Sequence, residues 1–418
     1  MRKMRKRFVA LGMSALMIFT MAGCGNKQKS TQTTQAQVTS VSAAENKVHK
    51  IGVAVYSSTD DECRMFKEYY TNYLKNSFQA EFIYSSDIKD YKDEMAFVDS
   101  AKKEGCEGII SFITNDLSEI VKYCAKQDMY YMLGSGTQST DEFNSVKNEK
   151  NFLGIMGPSV ENEAEAGQKM IESLGDKNGS KKTYVLLSGG SAFNNFMHKE
   201  RLCAMLETLQ KEQGFIFEKT IDEIAAMQEN ALVGTSKDGG RIYICPGYLS
   251  LEAYKDNLQE VLSEAGEVDV VASTYYIAPF LDTLTEQEAT QKKDIQTGAI
   301  DCFSDTNSQA FSEKDAFGNS KLNFIGGKCA AMAAPAFVAM YNAVSGYPEA
   351  VRNGNEAFWL NQDFWYASTP DEYEKLSTAA DNVYKNIYST DDIMTSLAEY
   401  GKQVDYNTLV NFVDKIAQ

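Results

Sequence analysis

Lys50-Ile51-Gly52-Val53-Ala54-Val55-Tyr56 opens a rhythm that decides what this 418-residue chain can fold into. The run is short and apolar and breaks at Ser57-Ser58-Thr59-Asp60, so it reads as a buried strand feeding a helix N-cap. Residues 61–78 then place Met65, Tyr69, Tyr73 and Phe78 at helical spacing, and Glu81-Phe82-Ile83-Tyr84 reads as the next strand. A helix over 90–103, a strand at 108–113, a helix over 117–127 and a strand at 130–133 follow. Strand and helix in strict alternation imply βαβ units, hence a parallel sheet with helices on both faces.

After a polar stretch over 138–150, Phe152-Leu153-Gly154-Ile155-Met156 starts a second series. It continues with a helix over 160–174, a strand at 183–187, a long helix over 194–212 and a strand at 215–217. Strands at 241–245 and 268–272 flank a helix over 251–264, and 297–300 is one more strand. The predicted fold class is α/β, two doubly wound parallel-sheet lobes joined by a multi-strand hinge. The first lobe is expected over 49–150, completed by about 304–330, and the second over 151–303. From 306 come a short helix over 307–317, a strand at 322–325 and an apolar helix over 330–344 stopped by Gly346. Residues 331–418, with Phe358-Trp359 and Phe364-Trp365-Tyr366, are expected to pack on the lobes as helices.

The amino end carries Arg2, Lys3, Arg5, Lys6 and Arg7, then an apolar run from Phe8 to Met21, then Ala22-Gly23-Cys24. That order is a secretory signal, and its about 14 apolar residues fall short of the roughly 20 that span a bilayer. It resembles a bacterial lipoprotein signal over 1–23. The resemblance implies acylation of Cys24 and a place on the outer face of the cytoplasmic membrane. Residues 24–48 are rich in Ser, Thr and Gln without apolar period, which predicts a disordered polar tether.

The net charge is −17, and it grows more negative once the five leader cations are set aside. So acidic a body repels phosphate backbones, so no nucleic-acid partner is expected. Beyond Cys24, seven cysteines at wide spacing make neither a disulfide framework nor a zinc motif; buried free thiols are expected, with one or two pairs left open. The two histidines, His49 and His198, leave little room for Ser/His/Asp, Cys/His or histidine–metal chemistry. Gly189-Gly190-Ser191 lacks the spacing of a nucleophile elbow, and Gly175–Lys181 that of a P-loop. Asp60-Asp61-Glu62 reads as a helix's acidic first turn rather than a metal cluster. No enzyme activity, cofactor or metal is expected.

In open α/β sheets, ligands bind beyond the carboxyl ends of strands. In the first lobe that rule selects Tyr56, Ser57, Asp60, Thr114, Asn115, Ser135 and Gly136. In the second it selects Ser188, Ser191, Phe193, Asn194, Asn195, Tyr248, Thr274, Tyr275 and Asp301. Hydroxyls, amides and aromatic rings together suit a neutral polyol. The same residue types also form turns and cap helices, so both roles stay open.

The order of elements resembles the type I periplasmic-binding-protein fold across about 49–346, specifically the sugar-type solute-binding proteins of ABC importers. Gly105-Cys106-Glu107-Gly108-Ile109-Ile110-Ser111 is similar to that family's Gly-x-Asp-Gly-Ile-Ile strand. Gly298-Ala299-Ile300-Asp301 resembles its Gly-Phe-Asp strand end, which implies ligand hydroxyls on Asp301. Val271–Tyr275 and Lys321–Gly346 fall where the family has a cleft-facing strand end and a return strand with an apolar helix. Three positions depart from the pattern: Ser57-Ser58-Thr59-Asp60 replaces an aromatic Asn-Pro-Phe-Phe, the fourth strand ends Gly134-Ser135-Gly136 instead of in Asp, and Gly326-Gly327-Lys328 stands where a Gln is usual. The resemblance implies a hinge near 136–155, 276–279 or 303–306, and 325–328. It implies a monomer that captures a small polar solute, a sugar first, and hands it to an ABC permease. A nucleoside-binding lipoprotein and a sensor for a receptor kinase are the alternatives within that architecture; a surface-anchored hydrolase has no motif behind it.

Overall fold

Fourteen strands in two sheets carry the structure, a computed structural model that describes residues 47–113, 116–175, 181–193, 195–247, 254–381 and 387–417. The expected leader, the tether up to residue 46 and the lipidation site Cys24 lie outside the described residues.

Strands β1 (His49–Ala54), β2 (Ala80–Tyr84), β3 (Gly108–Ser111), β4 (Tyr130–Leu133) and β5 (Phe152–Gly157) belong to the first sheet. The second holds β6 (Thr183–Gly189), β7 (Phe215–Phe217), β8 (Ala231–Ser236), β9 (Arg241–Pro246), β10 (Val270–Ser273), β11 (Gln296–Cys302) and β12 (Phe324–Lys328). Late in the chain, β13 (Phe358–Asn361) and β14 (Trp365–Ala367) add one strand to each. The first sheet runs β13-β5-β4-β3-β1-β2, all parallel, with Ile51 opposite both Gly108 and Phe82. The second runs β14-β12-β11-β10-β6-β9-β8-β7, parallel through its centre and antiparallel at β14, β8 and β7. Helices on both faces explain why the central strands read as continuous apolar runs.

Three sequence expectations need correction. The strand at 152–157 does not begin the second lobe: it pairs with β4 in the first sheet. The segment 304–330 does not complete the first lobe, because β12 pairs with β11 in the second sheet. The first lobe is completed instead by the Ala333–Val344 helix, whose side chains are all buried, and by Leu409, Phe412 and Val413. Residues 331–418 are more than covering helices, since they supply β13 and β14.

The chain passes between the sheets after β5, after β12, and between β13 and β14. Positions 276–279 and 303–306 lie inside the second lobe, while 325–328 leads directly into the second passage. Gln362 ties all three. Its backbone N–H donates to Gly157 O (2.9 Å) and its Nε2 to Met332 O (3.0 Å), and the residue is fully buried.

The Val160–Leu174 and Phe196–Gln213 helices cross at Gly167, where a Cβ would lie 2.3 Å from the Arg201 carbonyl oxygen. Backbone cannot yield as a side chain would. Gly167→Ala is expected to lower the unfolding free energy by about 2–3 kcal/mol, read from the urea midpoint at unchanged slope.

Candidate ligand-binding cleft

The carboxyl ends of β1 and β4 in one sheet, and of β6, β10, β11 and β12 in the other, meet beside the three passages. At the end of β1, Ser57 Oγ accepts from Asp60 N (3.2 Å), and Asp60 caps the Asp61–Glu68 helix through Oδ1, accepting from Glu62 N (2.9 Å) and Cys63 N (3.3 Å). The cap and turn reading therefore holds for both residues. Asp60 Oδ1 also accepts from the Tyr56 hydroxyl (2.7 Å), and Tyr56 remains 39% exposed.

Across the gap stands Lys328, the last residue of β12 and only 3% exposed. Its Nζ donates to Glu62 Oε1 and to the Ser135 carbonyl oxygen, both at 3.1 Å, so it bonds the second sheet to two elements of the first lobe. Gly136 is held by its N–H on Met156 O (3.1 Å). Sequence reasoning noticed Lys328 only as a missing Gln, and read Glu62 as a partner of the helix dipole. The signal available was a lysine closing an apolar strand, which burial makes costly unless it is paired.

On β11, Asp301 accepts from Asn307 Nδ2 (2.6 Å). Burial, then the charges of Asp60, Glu62 and Asp61, push its carboxyl up to about 8. Neighbouring Tyr276, which the strand-end rule passed over, has its phenol pushed up to about 12 by burial, then by Asp61 and Asp301. The structure thus brings Asp60 and Asp301 into electrostatic reach of each other across the lobes.

Thr274 is fully buried, its Oγ1 donating to Leu187 O (3.2 Å) and its carbonyl accepting from Arg201 Nη1 (2.7 Å). Tyr275 donates to Gly247 O (3.1 Å) and stacks on His198 with ring centroids 5.4 Å apart. His198 Nδ1 accepts from Gly190 N–H (2.9 Å); burial, then Arg201 and Lys328, hold its pKa well below the ordinary value, so it is a neutral structural imidazole. Asn195 caps the Phe196–Gln213 helix by accepting from His198 N (3.0 Å), while Phe193 stays 42% exposed. Thr114, Asn115, Asn194 and Tyr248 lie outside the described residues.

Away from the cleft, Glu288, Asp294 and Asp315 bring carboxylate oxygens within 4.8 Å of one another. Those groups already accept from Ile295 N, Ala316 N, Asn319 Nδ2 and Phe317 N. The seven described cysteines are all free, and all but Cys203 are buried. No helix among the described residues is long and apolar enough to cross a membrane.

No protein-family model matches the sequence, and no curated protein matches it. Solved structures do. A Mycobacterium smegmatis protein in complex with β-D-fucofuranose is 12% identical over 81% of this chain and 96% of its own, with a TM-score of 0.54. An ABC transporter solute-binding protein from Bacillus halodurans with bound myo-inositol is 14% identical over 80% and 99%, with a TM-score of 0.53. A LacI-type transcriptional regulator from Bacteroides fragilis is 10% identical over 79% and 99%, with a TM-score of 0.52. At these identities the likeness establishes the fold, and the fold is that of the type I periplasmic binding proteins.

Proposed function

We propose that this chain is an extracytoplasmic solute-binding protein, anchored by lipid on Cys24, that closes its lobes over a small sugar-like molecule and delivers it to an ABC permease. The observation that carries the reading is the meeting of strand carboxyl ends from the parallel parts of two sheets, where Lys328 of β12 bonds Glu62 after β1 and the Ser135 carbonyl after β4. That layout supports capture by hinge closure, in which contacts made only when both lobes meet stabilise the closed state. The basic, apolar, Ala-Gly-Cys order at the amino end supports the anchor. The solute-binding neighbour with bound myo-inositol supports a small polar ligand, and such neighbours are binders rather than enzymes.

The test is a thermal-shift screen of the chain from residue 24 onward against monosaccharides and inositols. A ligand at about a thousand times its Kd should stabilise by roughly 4 kcal/mol. Asp301→Ala should abolish that shift while the circular dichroism spectrum stays native. A screen in which no solute moves Tm would sink the reading; an unaltered shift in Asp301→Ala would move the site away from β11.

A further inference from the structure

The polar groups of the cleft are unbalanced in one direction. From the first lobe come Asp60, Asp61 and Glu62, and from the second Asp301. Two cations answer them: Lys328 pairs with Glu62 (3.1 Å) and Arg64 with Asp61 (2.6 Å). Among the described residues no lysine, arginine or histidine nitrogen pairs with Asp60 or Asp301.

A second observation, independent of the acidic residues, has the same sense. Asn307 is fully buried beside Asp301, and its Nδ2 donates both to Asp301 Oδ2 (2.6 Å) and to Cys302 O (2.9 Å). Those two bonds fix which end of the amide is which. The Oδ1 left over is a buried acceptor with no donor. Asp61, its side chain 10% exposed, likewise keeps a buried Oδ2 that accepts nothing. Its charge reaches the second lobe, being the foremost one acting on Tyr276. What the site lacks is therefore donors and positive charge. Around the gap, Tyr56 and Phe193 leave ring surface exposed, and aromatic faces attract cations.

We propose that the cleft selects a small polyol bearing a protonated amine, an amino sugar or amino polyol, over its neutral counterpart. The proposal rests on the cleft being the solute site. The ammonium brings the charge that Asp60 and Asp301 lack, and N–H and O–H donors meet Asp61 Oδ2 and Asn307 Oδ1. Binding has a proton signature. Asp301 faces Asp60, Asp61 and Glu62 of the first lobe, with Tyr276 beside it, Asn307 bonded to it and Lys328 taken up by Glu62. With its carboxyl pushed up to about 8, Asp301 holds a proton at pH 7, and an arriving ammonium, favouring the carboxylate, expels it.

The experiment compares glucosamine, galactosamine and mannosamine, each against its parent hexose and its N-acetyl derivative, by calorimetry at pH 7. Phosphate and HEPES serve as buffers, because Tris is itself an amino polyol. The expected result is at least tenfold tighter binding of one amine than of its neutral forms, with an observed heat that differs between the two buffers by the number of protons released times the difference in their ionisation heats. Asp301→Asn and Asp60→Asn keep the Asn307 bond and the helix cap, and each should bring the ratio close to one. A neutral form that binds as tightly as the amine overturns the selectivity but leaves solute capture standing. Silence from amines and neutral sugars alike overturns both, and an undiminished ratio in the two variants overturns the assignment to these carboxylates.

Discussion

Arg201→Ala is expected to remove about 3–5 kcal/mol of stability, since taking away one partner of a buried ion pair strands the other charge without water or counterion. Arg201 is 5% exposed and Glu163 fully buried, with Nε 2.5 Å from Glu163 Oε2. The same guanidinium donates through Nη1 to Thr274 O (2.7 Å) and lies over the Phe364 ring at 5.4 Å. Glu163 is held from the other side by the Thr137 hydroxyl at 2.7 Å. The network runs from the segment after β4 in the first lobe, through the first interlobe passage, to the end of β10 in the second. Guanidinium chloride unfolding of Arg201→Met, Glu163→Met and the double variant gives the discriminating result. If the stranded charge is the cause, Glu163→Met added to Arg201→Met recovers most of the loss. A double variant as unstable as Arg201→Met alone would place the effect in lost packing on Phe364 instead.

Stability should also fall as pH rises from about 5 to about 8, through Glu94. This carboxyl is fully buried in the first lobe; Ser111 Oγ (2.7 Å) and Tyr131 OH (3.0 Å) both donate to Oε1, and Oε2 has no partner. Burial outweighs those two hydrogen bonds and pushes it from the ordinary 4.5 up to about 7. The folded state thus holds the proton more tightly than the unfolded chain. The resulting stability is fully present below about 4.5 and is lost as pH climbs through 7, a contribution of about 3 kcal/mol in all. Glu94→Gln retains an oxygen acceptor for both donors and cannot ionise. Other carboxyls titrate too, Asp301 among them, so the measurement is the difference between wild type and Glu94→Gln at pH 5, 6, 7 and 8. The variant should gain steadily on the wild type across that range. A flat difference would mean that Glu94 ionises at no cost and that water reaches Oε2.

How much of this was legible beforehand follows from what each feature depends on. The central strands were visible because helices cover both faces of a parallel sheet, which turns a strand such as Gly108–Ser111 or Val270–Ser273 into an unbroken apolar run. Strand β8 escaped because it is an antiparallel strand next to the sheet edge, only partly buried, whose short apolar run Ala231-Leu232-Val233 is hemmed in by polar residues. The aromatic pair Phe358-Trp359 looked like packing material; only its register on β5, with Phe358 opposite Gly154, makes it a strand. Lobe boundaries were misplaced because pairing partners, not local patterns, decide which sheet a strand joins. The strand-end rule selected Tyr56, Asp60 and Asp301, whose charges and hydrogen bonds the structure links, and it also gathered Ser57 and Asn195, which like Asp60 serve the backbone as turn and cap. It missed Lys328, whose partner Glu62 is 266 residues away, and Arg201, whose partner Glu163 lies on another helix. Across such separations the local sequence can flag a costly buried charge, but not the partner that answers it.

The route by which the first lobe is completed has a consequence for the order in which the protein can be born. Its strands β1 to β5 leave the ribosome first, yet the helix that fills the underside of their sheet begins at Ala333, and Leu409, Phe412 and Val413 join the same core. The second lobe, begun later, has its central strands β6 to β12 together by residue 328 and needs only β14 and the Pro370–Asp381 helix after that. The half synthesised first is therefore the half that matures last. For most of translation its apolar sheet face waits uncovered, the condition in which nascent chains aggregate or recruit chaperones.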